Sequence, residues 1–211
     1  MPSTPLDAYG LLLSAIEDPN PVLFLLPKAL TRSKGKDLIP GEPESEKALK
    51  EAIDAPLGDR SNWKPKWPKV KEFKIPIGEA KILKEGTDLT VVSYGRTLPL
   101  CEEIAKNHKA SIEIVDLRSL YPYDWKTIYE SVKKTKRVLF VNEETEVTNF
   151  AEHLAYRVVT SDLFYRIYAP PKVLAGKNVP GIGLHPNLEE ATVPYKSEIE
   201  KEIDEILKVV P

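Results

Sequence analysis

The middle of the chain alternates short apolar runs with amphipathic segments, a pattern typical of a sheet covered by helices. Ile112, Ile114 and Val115 form a short run of apolar β-branched residues, which favours a buried strand. Residues 138–141 are apolar on both faces, which suits an interior parallel strand. Between them, apolar residues recur at helical spacing over 125–132, and Asp124 stands where an N-cap is expected. Two buried strands joined by a helix predict a right-handed crossover unit.

Similar patterns predict elements on both sides of this unit. Thr4 and Pro5 begin a helix that ends at an Asp-Pro-Asn-Pro sequence over 18–21, and a buried strand is expected over 22–26. The apolar face of that helix is predicted to consist of Leu6, Tyr9, Leu12, Leu13 and Ile16. The other predicted elements are a helix within 44–53, a strand over 89–94, helices over 98–106 and 150–159, a strand over 170–174, a Gly/Pro loop over 179–186, and a last helix from Pro194 with Ile199, Ile203, Ile206 and Leu207 in its stripe.

Together these elements predict an α/β fold with three layers and a mostly parallel five-stranded sheet. We divide the chain into a helix-strand segment at 1–31, a linker rich in proline and charge at 32–74, and a compact domain at 75–211. The linker either lies on the surface, anchored by Trp63 and Trp67, or serves as a partner-binding arm.

Composition narrows the functional classes. The net charge is −2 with acids and bases mixed, so no electrostatic footprint for nucleic acid is expected. Cys101 is the only cysteine, which suits a reducing cytoplasm. No apolar run approaches the roughly 20 residues of a membrane helix, and no signal peptide is recognised. We therefore expect a cytoplasmic protein that binds neither membrane nor nucleic acid.

Candidate chemistry is confined to the ends of two predicted strands. Glu143 and Glu144 close one strand, where a carboxylate pair could hold a raised pKa or could bind backbone amides or a basic partner. Asp116 and Arg118 end the other strand, where they could line a crevice or form a local ion pair. The sequence offers no nucleotide-binding fingerprint, no clustered metal ligands and no nucleophile elbow.

The stretch over 116–144, DLRSLYPYDWKTIYESVKKTKRVLFVNEE, resembles the C-terminal domain of the beta subunit of 2-oxo acid dehydrogenases, in its pyruvate and branched-chain types. The resemblance extends to 2–30, 75–80, 89–95 and 187–190, and covers about four fifths of the chain. It implies a transketolase C-terminal-like domain at 75–211, a remnant of the pyrimidine-binding domain at 1–31, and a thiamine-diphosphate-dependent oxidoreductase. Two rival interpretations stay open, the C-terminal part of a split transketolase and a non-catalytic interaction module.

The resemblance also implies what the rest of such an enzyme supplies. Thiamine diphosphate and magnesium would lie between an alpha subunit and the earlier part of the beta subunit, which carries the activating glutamate and the active-site histidine. The chain is expected to begin after both, as in a truncated or split gene, and to be inactive alone. The expected partners are the alpha subunit, the missing N-terminal part of the beta subunit and the acyltransferase core, in a homodimer or hetero-oligomer.

Several site residues follow from the resemblance alone. A potassium loop is implied at Ala15, Ile16, Asp18 and Asn20. The acyltransferase core would meet acidic residues near the last helix, namely Glu189, Glu190, Glu198, Glu200 and Glu202. Three departures from the family pattern are visible: 147–150 reads VTNF where the family has Thr-Gly-Gly-Phe, Leu26 replaces a glutamate, and the linker is much longer.

Overall fold

A computed structural model describes residues 1–31 and 33–209, so the predicted linker boundary at Arg32 and the chain end at 210–211 lie outside the described residues. One sheet contains five strands in the order β1-β3-β2-β4-β5. The strands are β1 (Lys81–Lys84), β2 (Leu89–Ser93), β3 (Ile112–Asp116), β4 (Val138–Thr145) and β5 (Lys172–Gly176). Only β1 is antiparallel to its neighbour, β3, and the other three pairs are parallel.

The helices cover both faces of this sheet. They are α1 (Pro5–Glu17), α2 (Glu46–Ile53), α3 (Thr97–Asn107), α4 (Trp125–Thr135), α5 (Phe150–Val159), α6 (Pro186–Glu190) and α7 (Lys196–Leu207). Leu98 and Cys101 of α3 pack with Ile203 of α7 on one face. Ile128 of α4 and Leu154 of α5 pack on the other face. The predicted three-layer α/β fold with a mostly parallel five-stranded sheet is therefore confirmed.

Local chemistry explains why the central crossover forms where the sequence predicts it. Every residue of β2 and β3 is buried, as expected for interior parallel strands. The Asp124 carboxylate accepts a hydrogen bond from the Thr127 amide at 3.0 Å and so caps α4. Lys136 ends that helix with a left-handed backbone (φ 59°), which reverses the chain into β4.

Two small elements were not predicted, and several bounds differ. The edge strand β1 was missed because its four residues are too short to show a clear period, and α6 was missed within a Gly/Pro-rich stretch. The strand predicted over 170–174 is Lys172–Gly176, and the last helix begins at Lys196 instead of Pro194. Helix α2 begins two residues after the predicted start, at Glu46.

The predicted inner face of α1 is wrong. Ile16 is 70% exposed and Leu12 is 44% exposed, whereas Asp7, Gly10 and Leu11 are buried. A Cβ at Gly10 would lie only 2.7 Å from Cγ1 of Ile75, so the helix docks through a small residue that permits close approach. The predicted apolar face therefore lies at the border of the core: Leu12 and Ile16 are exposed, and Leu6, Tyr9 and Leu13 are only half-buried.

The predicted buried strand over 22–26 is also wrong. Residues 21–27 adopt no regular secondary structure, and Leu23 and Leu26 are 85% and 62% exposed. A strand needs a neighbouring strand for its backbone hydrogen bonds, and the described sheet draws all its strands from 81–176. Among the described residues, no helix is both long enough and apolar enough to cross a membrane.

Candidate functional site

The strand order places a crevice at the carboxyl ends of β2 and β4. These strands are neighbours, yet the chain leaves β2 toward β3 and leaves β4 toward β5 on the other side. Helix α3, which follows β2, and helix α5, which follows β4, lie on opposite faces of the sheet. In open α/β sheets, ligands bind at such a switch in strand order.

A half-buried arginine lies just after the carboxyl end of β2. Arg96 follows β2, and its Nη2 lies 3.1 Å from Oε1 of Glu189, which α6 provides. The guanidinium also lies over the Tyr195 ring, 4.8 Å from its centroid. Its Nη1 atom is buried and has no hydrogen-bond partner among the described residues. This N–H group is therefore shielded from solvent and unpaired among the described residues.

Glu143 faces the same positive charge from β4. Partial burial raises the pKa of its carboxyl group, the Arg96 charge opposes that rise, and the Glu189 and Glu144 carboxylates add to it. Burial disfavours the charged form, and each neighbouring carboxylate does the same by repulsion. Of the two alternatives for this carboxylate pair, the raised pKa describes Glu143, with burial instead of like-charge repulsion as its main cause.

Glu144 has a structural role instead. Its Oε1 accepts a hydrogen bond from the Tyr94 hydroxyl at 2.6 Å, and its Oε2 accepts from the Phe150 amide at 2.9 Å. Burial and this carboxylate raise the pKa of Tyr94. Because both carboxylate oxygens are occupied, Glu144 holds the first turn of α5 against the end of β2. The alternative that a glutamate here binds a backbone amide therefore describes Glu144.

Asp116 and Arg118 lie apart from the two glutamates. Strand β2 separates β3 from β4, so the two ends predicted to be neighbours are not adjacent. The Arg118 guanidinium also does not pair with Asp116: its Nη2 lies 2.6 Å from Oδ1 of Asp7 in α1. Both side chains of this ion pair are largely buried, at 13% and 3% exposure. The pair joins α1 to the end of the sheet.

Asp116 is the most unusual titratable group in this cluster. Its Oδ1 accepts from the Arg118 amide at 3.1 Å and from the Ser3 hydroxyl at 3.4 Å, while its Oδ2 has no partner among the described residues. Burial and the neighbouring Asp7 charge raise the pKa of Asp116 to about 7, although Arg118 and the hydrogen bonds oppose the rise. The Arg118 guanidinium thus forms an ion pair with Asp7, and its charge also stabilises the ionised form of Asp116.

The raised pKa of Asp116 predicts a pH dependence of stability. Between about pH 4 and pH 7 the folded chain keeps a proton that the unfolded chain has released, so unfolding becomes easier as pH rises. A rise from 3.8 to about 7 corresponds to a loss of up to about 4 kcal/mol across this window. Asp116→Asn should remove this contribution, as measured by urea unfolding of both proteins at intervals from pH 4 to pH 8.

Subtracting the variant's free energy of unfolding from that of the unaltered chain cancels the other titrating groups. The difference is expected to fall steadily toward pH 7 and then level off. A difference that stays constant from pH 4 to pH 8 would show that Asp116 titrates alike in the folded and unfolded chain.

A cavity of about 560 Å³ adjoins this cluster. Its walls come from α1, from residues 20–25 and from residues 118–122. Asp18 and Asn20 of the predicted potassium loop lie on its rim, and Asp18 Oδ1 accepts hydrogen bonds from the amide and side chain of Asn20 at 2.9 and 3.0 Å. Ala15 and Ile16 belong to the last turn of α1. The four predicted ligand residues therefore share one end of this helix.

Sequence reasoning missed Arg96, Glu189 and Asp7. A basic residue directly after a buried strand and its terminal glycine is a signal that could have identified Arg96. Glu189 was named only for its charge near the last helix, and its partner lies 93 residues away in sequence. Asp7 lies in the first turn of α1, and its partner Arg118 lies 111 residues away in sequence. Pairings over such distances leave no trace in local periodicity.

The described residues do not fit thiamine diphosphate with magnesium. They contain no group of three or more His, Cys, Asp or Glu side chains that could hold a metal ion. Glu144 is fully engaged by Tyr94 and the α5 backbone. Burial raises the pKa of the Cys101 thiol to about 12, so it offers no reactive thiolate near neutral pH. No catalytic step is therefore assigned to these side chains.

The fold and its sequence define a family. The model of the transketolase C-terminal domain matches residues 78–199, which include all five strands of the sheet, helices α3 to α6 and the start of α7. The chain belongs to this family.

Curated relatives extend the match toward the N-terminus. They include the pyruvate dehydrogenase E1 component subunit beta of Acholeplasma laidlawii, 36% identical over 84% of this chain and 46% of that protein. The 2-oxoisovalerate dehydrogenase subunit beta of Bacillus subtilis is 30% identical over 98% of this chain and 54% of that protein. The predicted resemblance to these beta subunits is confirmed, and the chain spans about half the length of the curated relatives it matches.

A solved structure shares the fold. A chain described as a split gene transketolase, an inactive beta4 tetramer, aligns with a TM-score of 0.54 and 23% identity over 65% of this chain and 45% of that chain. At this identity the likeness supports the α/β architecture and carries no conclusion about activity.

Proposed function

We propose that this chain is the C-terminal part of the beta subunit of a thiamine-diphosphate-dependent 2-oxo acid dehydrogenase. The observation that carries the proposal is the 30–36% identity to pyruvate and 2-oxoisovalerate dehydrogenase beta subunits over 84–98% of the chain. The split gene transketolase chain is only 23% identical, so the oxidoreductase interpretation is preferred to a split transketolase. In this proposal the cytoplasm is the site of action.

The structural role is assembly and support of an active site that other segments complete. In the complete enzyme, thiamine diphosphate with magnesium would supply the chemistry that cleaves the 2-oxo acid. The Asp7–Arg118 ion pair fixes α1 at the carboxyl end of β3, so a segment preceding α1 would be held in a defined orientation. We propose that the chain divides into three parts: the segment at 1–31, which carries α1, the linker at 32–74 and the domain at 75–211.

The exposed apolar surface on α1 and residues 22–26 supports association. Leu23, Leu26 and Ile16 are all more than 60% exposed, and such a patch is costly in water. We propose that the remaining part of the beta subunit, or a second copy in a homodimer, covers it. The alpha subunit completes the hetero-oligomer.

The test of the proposed function is assembly. The chain, a polypeptide with the earlier part of the beta subunit, and the alpha subunit of the same organism are mixed and analysed by sedimentation velocity. We expect one complex that contains all three polypeptides. A chain that sediments independently of both partners, under conditions where the partners associate with a full-length beta subunit, would contradict the proposal and favour an unrelated interaction module.

Docking of the acyltransferase core is a further part of the proposal. Glu190, Glu198 and Glu200 form no ion pair among the described residues, so they could meet a basic partner. Glu189 and Glu202 are less available, since they pair with Arg96 and Lys172. Binding of the core that weakens with added salt would support this contact.

A potassium ion at the end of α1 is expected to stabilise the assembled protein. The helix end offers free carbonyl groups and the negative end of the helix dipole, and Asp18 adds a carboxylate. We expect the midpoint of thermal unfolding to be higher in potassium chloride than in choline chloride at equal ionic strength. Asp18→Ala should remove the difference, because a bound ion stabilises only a protein that keeps its ligands. Equal midpoints for the unaltered protein in both salts would rule out the site.

A further inference from the structure

Residues 60–71 of the linker form an unusually basic strip. The sequence RSNWKPKWPKVK contains five basic residues and no acidic residue, whereas the whole chain has a net charge of −2. Its side chains divide into a half-buried set and an exposed set. Trp63, Pro65, Pro68 and Val70 are half-buried against the protein. Lys64, Lys66, Trp67, Lys69 and Lys71 are exposed.

The four lysines of this face have no carboxylate partner. Each other lysine between residues 33 and 74 lies within 4.0 Å of a glutamate, as in the pairs Lys34–Glu46 and Lys36–Glu102. Lys64, Lys66, Lys69 and Lys71 form no such pair among residues 1–31 and 33–209. Their charges are close together in sequence and repel one another, which an anionic partner would relieve.

The backbone of the strip is held in place. The Lys66 amide donates to the Ala52 carbonyl at 2.7 Å, and the Lys71 amide donates to the Pro40 carbonyl at 2.6 Å. The Tyr9 hydroxyl of α1 donates to the Lys71 carbonyl at 3.2 Å. These hydrogen bonds fix the strip to α1 and to earlier residues of the linker. Because its backbone is already ordered, binding a partner costs less entropy.

Trp67 adds an apolar anchor to this strip. Its side chain is 71% exposed although it could bury a large apolar area in a complex. Tryptophan surrounded by charged residues is a common energetic centre of protein interfaces. Trp67 has two lysines before it and two after it in the strip. This combination suits a partner surface in which acidic groups surround an apolar pocket.

We propose that the exposed face of residues 60–71 is a docking surface for an acidic patch on the alpha subunit. This inference rests on the proposed function, which supplies that partner. A local acidic patch fits better than nucleic acid or an anionic bilayer, because the remainder of the chain is acidic in balance. An extended polyanion that continued beyond the strip would be repelled by this acidic remainder of the chain.

The test compares two sets of charge reversals in the three-polypeptide assembly. The strip variant changes Lys64, Lys66, Lys69 and Lys71 to Glu. The control variant changes Lys106, Lys109, Lys126 and Lys177 to Glu; these are also exposed and form no ion pair among the described residues. We expect the strip variant to bind the alpha subunit at least about tenfold more weakly and the control to change much less.

Trp67→Ala should weaken binding by about tenfold as well, because truncating an interface anchor costs more than its neighbours do. Raising salt from about 50 to about 300 mM should weaken binding of the unaltered chain but barely affect the strip variant. Circular dichroism of each variant confirms that the fold is kept.

The outcomes separate the two claims. Equal affinity of the unaltered chain and the strip variant overturns the docking surface and leaves the proposed function standing. Absence of any assembly by the unaltered chain overturns the proposed function together with its docking surface. Tighter binding of the unaltered chain to a single-stranded oligonucleotide or to phosphatidylglycerol vesicles than to the alpha subunit overturns the choice of an acidic protein partner.

Discussion

A polypeptide of these 211 residues is expected to show no 2-oxo acid decarboxylation and no tight thiamine diphosphate binding by itself. Forming the cofactor's carbanion needs a carboxylate positioned on the pyrimidine ring, and the diphosphate needs magnesium with its own ligands. Glu144 is held by Tyr94 and Phe150, and Glu143 faces Arg96. A catalytic group misplaced by about 1 Å can already lose on the order of a hundredfold in rate.

Calorimetry with thiamine diphosphate and magnesium measures this directly. Adding the alpha subunit alone should leave both binding and activity undetectable, whereas adding it with the earlier part of the beta subunit should restore them. A full-length beta subunit from a relative, mixed with its own alpha subunit, serves as the positive control. Micromolar binding by the isolated chain would overturn the prediction and the assignment of these segments.

Arg118→Ala is expected to be the most destabilising substitution in the candidate site. The variant leaves Asp7 and Asp116 buried without their shared positive charge, and removing one partner of a buried pair typically costs about 3–5 kcal/mol. Urea unfolding near pH 8 measures the loss, since Asp116 is then ionised. Hydrogen exchange of the α1 amides shows whether the helix detaches before the sheet unfolds.

The double variant with Asp7→Asn provides the control. Removing the charge of Asp7 together with Arg118 leaves fewer uncompensated buried charges, so the two changes should cost less than the sum of the single changes. Additive losses would show that the 2.6 Å contact carries no coupling energy and that α1 is held by packing alone.

The sequence predicted the crossover from β3 through α4 to β4 because each signal there is local. The apolar runs, the Asp124 cap and the helical spacing all act within one turn or one strand. The same local signals failed in α1. Leu12 and Ile16 of its predicted core face are exposed, because docking is decided by the close approach at Gly10 and by an ion pair of Asp7 with a residue 111 positions away.

The candidate site was only partly predictable for the same reason. Strand ends identified Glu143, Glu144, Asp116 and Arg118, since a buried run and its terminus are visible in sequence. Their roles depend on strand order, which inserts β2 between the two ends and brings Arg96 and Glu189 to Glu143. The buried strand predicted over 22–26 is not formed, because the hydrophobicity of this segment carries no information about whether a pairing neighbour is present.

The most direct test of the central claim is the activity of the assembled protein. The chain is combined with the earlier part of the beta subunit, the alpha subunit, thiamine diphosphate and magnesium, and is supplied with pyruvate, a branched-chain 2-oxo acid or a sugar phosphate pair. We predict decarboxylation of at least one 2-oxo acid with reduction of an artificial electron acceptor, lost when this chain is omitted. Transfer between sugar phosphates without any 2-oxo acid oxidation would contradict the account.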